Sequence, residues 1–251
     1  MSRTLLLLTF CLGFLGSSAH AYLDEAEPSF ETFSEYRPFY FLLGSQHSKF
    51  QISFKAKIVE SVPLYFAYTQ TSFWNIFQDS SPFYDTTYAP DLFYRHSFSA
   101  LKYFDFGYSH ESNGKAGDDS RAWNRIFIRY AETDKLPEKS FLHWTLQAWV
   151  PFVEAGVNET LPRNRGIMEL NLSWSKFLGP FFDQDDLILR IYPGGNAYIN
   201  PLLGGQELTL RLKSANRKFL PLFVFQFFHG YGEDLLDSGT DVTVVRAGIG
   251  F

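Results

Sequence analysis

The chain has 251 residues, a formal charge of −5 and one cysteine, Cys11. A negative balance argues against nucleic acid as the main partner, and a single thiol excludes a disulfide framework. With 28 Phe and 14 Tyr but only 45% apolar residues, aromatic side chains are abundant in a chain that is not hydrophobic throughout.

The N-terminus reads as an address. Arg3 is basic, residues 5–15 are apolar apart from Thr9 and Gly13, and Ala19-His20-Ala21 supplies small residues for cleavage. Residues 1–21 are therefore predicted to be a secretory signal peptide, too short for a spanning anchor. The lipoprotein alternative needs a small residue before Cys11, where Phe10 stands. Cleavage after Ala21 would leave Tyr22 first, remove the only thiol, and take away the charge of Arg3, changing −5 to −6. Residues 22–36 are predicted to form an N-terminal arm of a single domain spanning 22–251, with no linker, low-complexity tract or fixed-period repeat in it.

Beyond the leader no run approaches the roughly 20 apolar residues of a membrane helix. The aromatics fall instead in short alternating segments: 38–43, 49–59, 63–73, 91–98, 101–111, 121–132, 141–151, 166–176, 186–192, 206–213, 220–229 and 241–251. Each reads as a strand. Twelve such segments with abundant aromatics predict an all-β fold, a 12-stranded antiparallel transmembrane β-barrel of the bacterial outer membrane. The closing run "VTVVRAGIGF" resembles the C-terminal signal of such proteins. The longer connections, 74–90, 112–120 and 230–240, are expected on the outer side.

Alternation assigns faces within the fifth and sixth segments. Lys102, Phe104, Phe106, Tyr108, His110 and Ser112 share one side, and Asp105, Ser109 and Glu111 share the other. Next along the chain, Asn124 sides with Ile126 and Ile128, against Arg125 and Arg129. Arginine at the lipid midplane costs roughly 2–4 kcal/mol, so the aromatic sides face lipid and the arginines face the lumen. A hairpin with Ser112 opposite Ala122 sets His110 opposite Asn124 on the lipid face. Histidine can then accept the proton of Ser112 while Asn124 holds its tautomer, the logic of an activated nucleophile. The same residues also suit an ordinary Asn-Gly hairpin turn. Three polar groups converging on a lipid-facing wall favour a functional role.

The run "GYSHESNGKAGDDSRAWNR", residues 107–125, resembles the signature of the outer membrane phospholipase A family, with its Tyr-x-His-x-Ser-Asn-Gly element. "YTQTSFWNIFQDSSPFYDTTYAPDLF", residues 68–93, is a second match, and "GYGEDLLD", residues 230–237, a weaker third. The resemblance implies a twelve-stranded barrel that hydrolyses phospholipid acyl esters, uses Ca2+ and acts as a homodimer. It implies His110 as base, Ser112 as nucleophile, Asn124 as orienter and the Gly114 N–H as an oxyanion donor. Calcium would be held by the Ser120 hydroxyl, the Lys115 carbonyl and Ser80 of the partner subunit. Gln70 matches a glutamine at the dimer interface. Few protein ligands and no carboxylate imply a weak site until a second subunit completes it.

Other features read as structural. His143 is expected in the lumen, residues 183–186 as a solvated acidic turn, and residues 192–196 as a Gly-rich turn. The rival function is a passive pore or structural barrel, which has no need of the lipid-facing His110, Ser112 and Asn124.

Overall fold

In the computed structural model the described residues are 33–152, 157–216 and 220–250. The predicted signal peptide, most of the expected arm and Phe251 lie outside them. The strands are β1 (Phe33–Glu35), β2 (Tyr40–Gly44), β3 (Ser48–Val59), β4 (Val62–Trp74), β5 (Phe83–Ser99), β6 (Lys102–Ser112), β7 (Ala122–Lys135), β8 (Phe141–Phe152), β9 (Met168–Ser175), β10 (Phe182–Gly194), β11 (Asn200–Ser214), β12 (Leu222–Gly230) and β13 (Val242–Gly250). All described pairings are antiparallel, from β2 on each strand against the next, and β13 pairs back onto β2 to close a barrel. Both β1 and β2 pair with β3, at Phe33↔Ala56 and Tyr40↔Gln51, so they are two parts of one interrupted strand. Thirteen strands thus fill twelve places. Closure gives every strand from β2 to β13 a partner on both sides, which lipid requires because it offers no water to an open edge.

The alternation of burial shows why these segments are strands. In β12, Leu222, Val224, Gln226 and Phe228 point in, while Phe223, Phe225 and Phe227 stand on the outer wall. The outer wall is apolar and aromatic, including Leu92, Tyr94, Phe106, Ile126, Ile128 and Val150. Among the described residues no helix is long and apolar enough to cross a membrane. One short helix, α1 (Thr160–Arg165), belongs to the connection after β8.

The lumen is filled by charge rather than by oil. Asp105, fully buried, receives Arg95 at 2.8 Å and Arg129 at 2.6 Å. Arg129 also donates to the Tyr36 hydroxyl at 2.6 Å, and Tyr36 donates to Asp91 at 2.7 Å. Lys49 bridges Glu207 at 2.8 Å and Glu233 at 3.4 Å, and Arg190 meets Glu169 at 2.6 Å. Phe93, Phe127 and Tyr65 pack beside the first of these networks. Gly107 is required there, since a Cβ would lie 2.8 Å from the Phe127 ring and 2.6 Å from the Leu92 carbonyl oxygen. His143 takes its expected inward place, its Nδ1 2.8 Å from Thr133 Oγ1.

Four boundaries differ from the sequence expectation. The fourth long strand, β5, begins at Phe83, so residues 83–90 are strand and not loop. Asp-Thr-Thr reads as a turn signal, but pairing with β4 from Trp74↔Phe83 to Tyr68↔Pro90 overrides it, while Ser-Ser-Pro stays in the turn. Strand β10 begins at Phe182, so the acidic run lies within it. Asp185 is buried and accepts the Phe177 and Leu178 N–H groups at 2.6 and 3.0 Å, which closes the β9–β10 turn. Strand β11 begins at Asn200, extended by pairing across the irregularity near Tyr192. Phe33–Glu35, at the end of the expected arm, are strand β1.

Removing the shared carboxylate with Asp105→Ala would leave two buried arginines without it. The expected loss is about 3–5 kcal/mol of stability. Denaturant unfolding in detergent measures it, and a loss below about 1 kcal/mol, the value of an exposed pair, would show the network to be dispensable.

Candidate active site on the outer wall

The β6–β7 hairpin has the register that alternation requires. Asp105 pairs with Arg129 inside, and outside His110 pairs with Asn124 and Ser112 with Ala122. His110 Nδ1 lies 2.8 Å from Asn124 Oδ1, and the Tyr108 hydroxyl donates to the same oxygen at 2.5 Å. A carbonyl oxygen only accepts, so His110 carries its proton on Nδ1 and Nε2 is left as a base. Ser112 follows on the same face, half-buried, with no side-chain hydrogen bond to a described residue. The structure therefore brings His110 and Asn124 into contact and sets Ser112 on their face, without a hydrogen bond between Ser112 and His110.

The outer face of β6 also fixes depth. At its other end Lys102 lies 3.2 Å from Glu132, which accepts the Tyr130 hydroxyl at 2.6 Å. Ten residues at about 3.3 Å each, tilted by about 40°, climb roughly 25 Å, the height of the apolar band of such a barrel. Phe104, Phe106 and Tyr108 occupy the band between. His110, Ser112 and Asn124 thus stand at its upper boundary, where lipid meets water.

Behind them the strand is bolted to the lumen. Glu111, between His110 and Ser112, points inward and receives Arg125 at 3.0 Å, Trp123 Nε1 at 2.8 Å and Arg165 at 3.8 Å. Above them the β6–β7 loop is organised by Asn113, which is buried. Its Oδ1 accepts the N–H groups of Lys115 at 3.3 Å and Arg121 at 2.9 Å, while its Nδ2 donates to the Asp119 carbonyl at 2.9 Å and to Asp85 at 3.2 Å. Gly114 and Gly117 take positive φ, +66° and +64°, which only glycine adopts without strain. A Cβ on Gly114 would also meet the Tyr88 ring at 3.0 Å. Asn113 and Asp85 escaped the sequence reading, which had Glu111 on the inner side but not its partners. The Ser-Asn-Gly run is a signal for Asn113, but nothing local reveals its distant partner.

The Phospholipase A1 family model matches residues 24–251. Phospholipase A1 of Escherichia coli K12 is 30% identical over 193 residues, which cover 73% of this chain and 60% of that protein. A putative phospholipase A1 of Neisseria meningitidis is 38% identical over 227 residues, covering 81% of this chain and 54% of its own. The chain belongs to the phospholipase A1 family. Its matched part spans less than two thirds of the length of these relatives. A solved Salmonella typhi outer membrane phospholipase, a dimer with bound calcium, shares the fold with a TM-score of 0.69 at 22% identity, over 90% of this chain and 94% of that one. A family member with this barrel and this lipid-facing wall is a protein of the bacterial outer membrane.

The other residues that the family resemblance singled out lie on or near the same wall. Lys115 turns its ammonium to the Tyr84 carbonyl, 2.7 Å away. Ser120 follows the 3-10 turn Gly117–Asp119, and its hydroxyl has no hydrogen bond to a described residue. Ser80 stands exposed in the β4–β5 loop at φ 62°, its hydroxyl likewise unpaired among the described residues, whereas the neighbouring Ser81 bonds back to Ile76 at 2.9 Å. Among the described residues no three His, Cys, Asp or Glu side chains converge as a metal cluster. Gln70 lies outward on β4 in a hydrogen-bonded row. Tyr68 donates to it at 3.1 Å, it donates to Ser72 at 3.3 Å, and Thr86 donates to Ser72 at 3.1 Å.

The β12–β13 loop closes the rim beside this loop. Burial pushes the Asp234 carboxyl up to about 6, reinforced by Asp85, Glu233 and Asp237 and opposed by the Asp237 N–H that it accepts. An aspartate in the unfolded chain releases its proton near 4. The folded loop is therefore most favoured below about pH 4 and loses that contribution as pH rises through about 6. Asp234→Asn keeps an acceptor for the Asp237 N–H and should flatten this dependence. Hydrogen exchange of residues 231–241, corrected for intrinsic rate between pH 4 and 7, tests it; an unaltered pH profile in the variant would reject it.

Proposed function

We propose that this protein hydrolyses the acyl esters of membrane phospholipids by a Ser-His-Asn mechanism, with calcium, as a homodimer. The observation that carries this reading is the His110 Nδ1–Asn124 Oδ1 contact of 2.8 Å on the lipid-facing wall, with Ser112 next on that face. Ser112 Oγ attacks the ester carbonyl carbon while His110 Nε2 takes its proton. Asn124 Oδ1 accepts the Nδ1–H throughout and keeps the ring aligned. The Gly114 N–H donates to the oxyanion. His110 returns the proton to the departing alkoxide, which leaves as the lysophospholipid. Water, deprotonated by His110, then frees the fatty acid and restores Ser112.

The Lys115 carbonyl, the Ser120 hydroxyl and Ser80 of the partner subunit would hold calcium. These are hard oxygen donors, and the Ser120 and Ser80 hydroxyls have no hydrogen bond to a described residue, which suits Ca2+. When bound, calcium supplies positive charge beside the oxyanion. The relative with bound calcium is also a dimer, which supports a site completed by two subunits. The outward row at Gln70 supports a protein contact there, because polar side chains facing lipid gain from a partner.

A passive pore is disfavoured by the lumen, which ion pairs cross: Lys49 bridges Glu207 and Glu233, and Glu111 receives Arg125 and Arg165.

Fatty-acid release from micellar phospholipid tests the reading. Ser112→Ala should lower turnover by about a thousandfold or more while the heat-modifiable barrel band persists on gels. Retained turnover would sink the assignment. Excess chelator should remove both turnover and the crosslinked dimer; full activity without calcium would refute the shared site.

A further inference from the structure

Asp85 has no part in the chemistry above, yet its carboxylate is wholly buried at the rim. One oxygen accepts Asn113 Nδ2 at 3.2 Å, with the Lys115 ammonium 3.9 Å away. The other accepts the N–H groups of Leu235 and Leu236 at 3.2 and 3.1 Å. Three separate segments thus meet on one side chain: the start of β5, the β6–β7 loop and the β12–β13 loop. We propose that Asp85 is a positioning residue for the reaction, acting through Asn113 to hold the loop that presents Gly114, Lys115 and Ser120. This role rests on the hydrolase reading above.

The donor set dictates the residue type. Each oxygen of Asp85 faces donors, so both must accept, and only a carboxylate satisfies that. An amide would turn its NH2 toward either Asn113 or the two backbone N–H groups, donor against donor. On the other side Asn113 has both its ends occupied within the loop. A shift of Asn113 therefore moves the Lys115 and Arg121 N–H groups with it, and Gly114 lies between Asn113 and Lys115. Oxyanion donors and calcium carbonyls work only within a few tenths of an ångström of their place.

The test uses the full-length protein in detergent micelles. An alkylsulfonyl fluoride labels the reactive serine, and titration calorimetry follows binding of calcium alone. Asp85→Asn is expected to slow Ser112 labelling and weaken calcium affinity by about ten- to hundredfold, as a buried unsatisfied donor would. Asp85→Glu, which keeps two acceptor oxygens, should recover most of both, while a residue needed only for folding would show its loss in gel mobility instead. A folded Asp85→Asn with parental labelling and calcium affinity overturns the role. Should that variant fail to fold, Asn113→Ala decides: parental behaviour overturns the role, and a matching loss supports it. A parent protein whose Ser112 does not react overturns the hydrolase reading and this role together, whereas a reacting parent with an equally reactive Asp85→Asn overturns only the latter.

Discussion

The pairing of Asp105 with Arg129 governs the rest of the site. They are opposed in the β6–β7 ladder and joined at 2.6 Å inside the barrel. A strand can expose only alternate residues to each face, and lipid will not take their charges. A slip of one residue would carry Asp105, Glu111, Arg125 or Arg129 toward lipid, so the register admits no neighbour. The same register that buries these charges sets His110 against Asn124 outside. The geometry of the outer wall is therefore decided by electrostatics on the inner one.

This coupling explains a design that otherwise looks wasteful. The lumen carries more ion pairs than a barrel needs to stay closed, and buried pairs are poor stabilisers on balance. Their value here is specificity of register. Glu111 shows it at the closest range, since it lies between the proposed base and nucleophile and is tied to Arg125, Arg165 and Trp123. The backbone of the proposed base and nucleophile is held from behind by side chains that face the lumen.

Much of this was legible in the sequence, for physical reasons that also mark the limit. Strict alternation with arginines on one side and aromatics on the other determines face and pairing, and the shared outer face of His110, Ser112 and Asn124 followed from that. Strand ends did not follow, because residues 83–90 and the acidic run before Asp186 look like loop until a neighbouring strand extends them. The Asp85–Asn113 contact was invisible for a different cause. It joins residues 28 apart through a rim where local patterning says nothing, and its other partners, Leu235 and Leu236, contribute only backbone N–H groups. Proposed chemistry on regular strands was readable, while its support in the loops was not.

The choice of asparagine as the proposed orienter follows from the same constraint. An aspartate opposite His110 would stabilise an imidazolium better, but it would stand as a charge on the lipid-facing wall at the edge of the apolar band. Asparagine gives up that charge. The loss of rigidity that could accompany a neutral partner is met by a second donor, because Tyr108 shares the Asn124 oxygen with His110. Tyr108 is itself part of the aromatic wall, its ring toward lipid and its hydroxyl toward the site. The wall that makes the protein a membrane barrel thus also holds the orienter in place, and it does so without placing a formal charge against the bilayer.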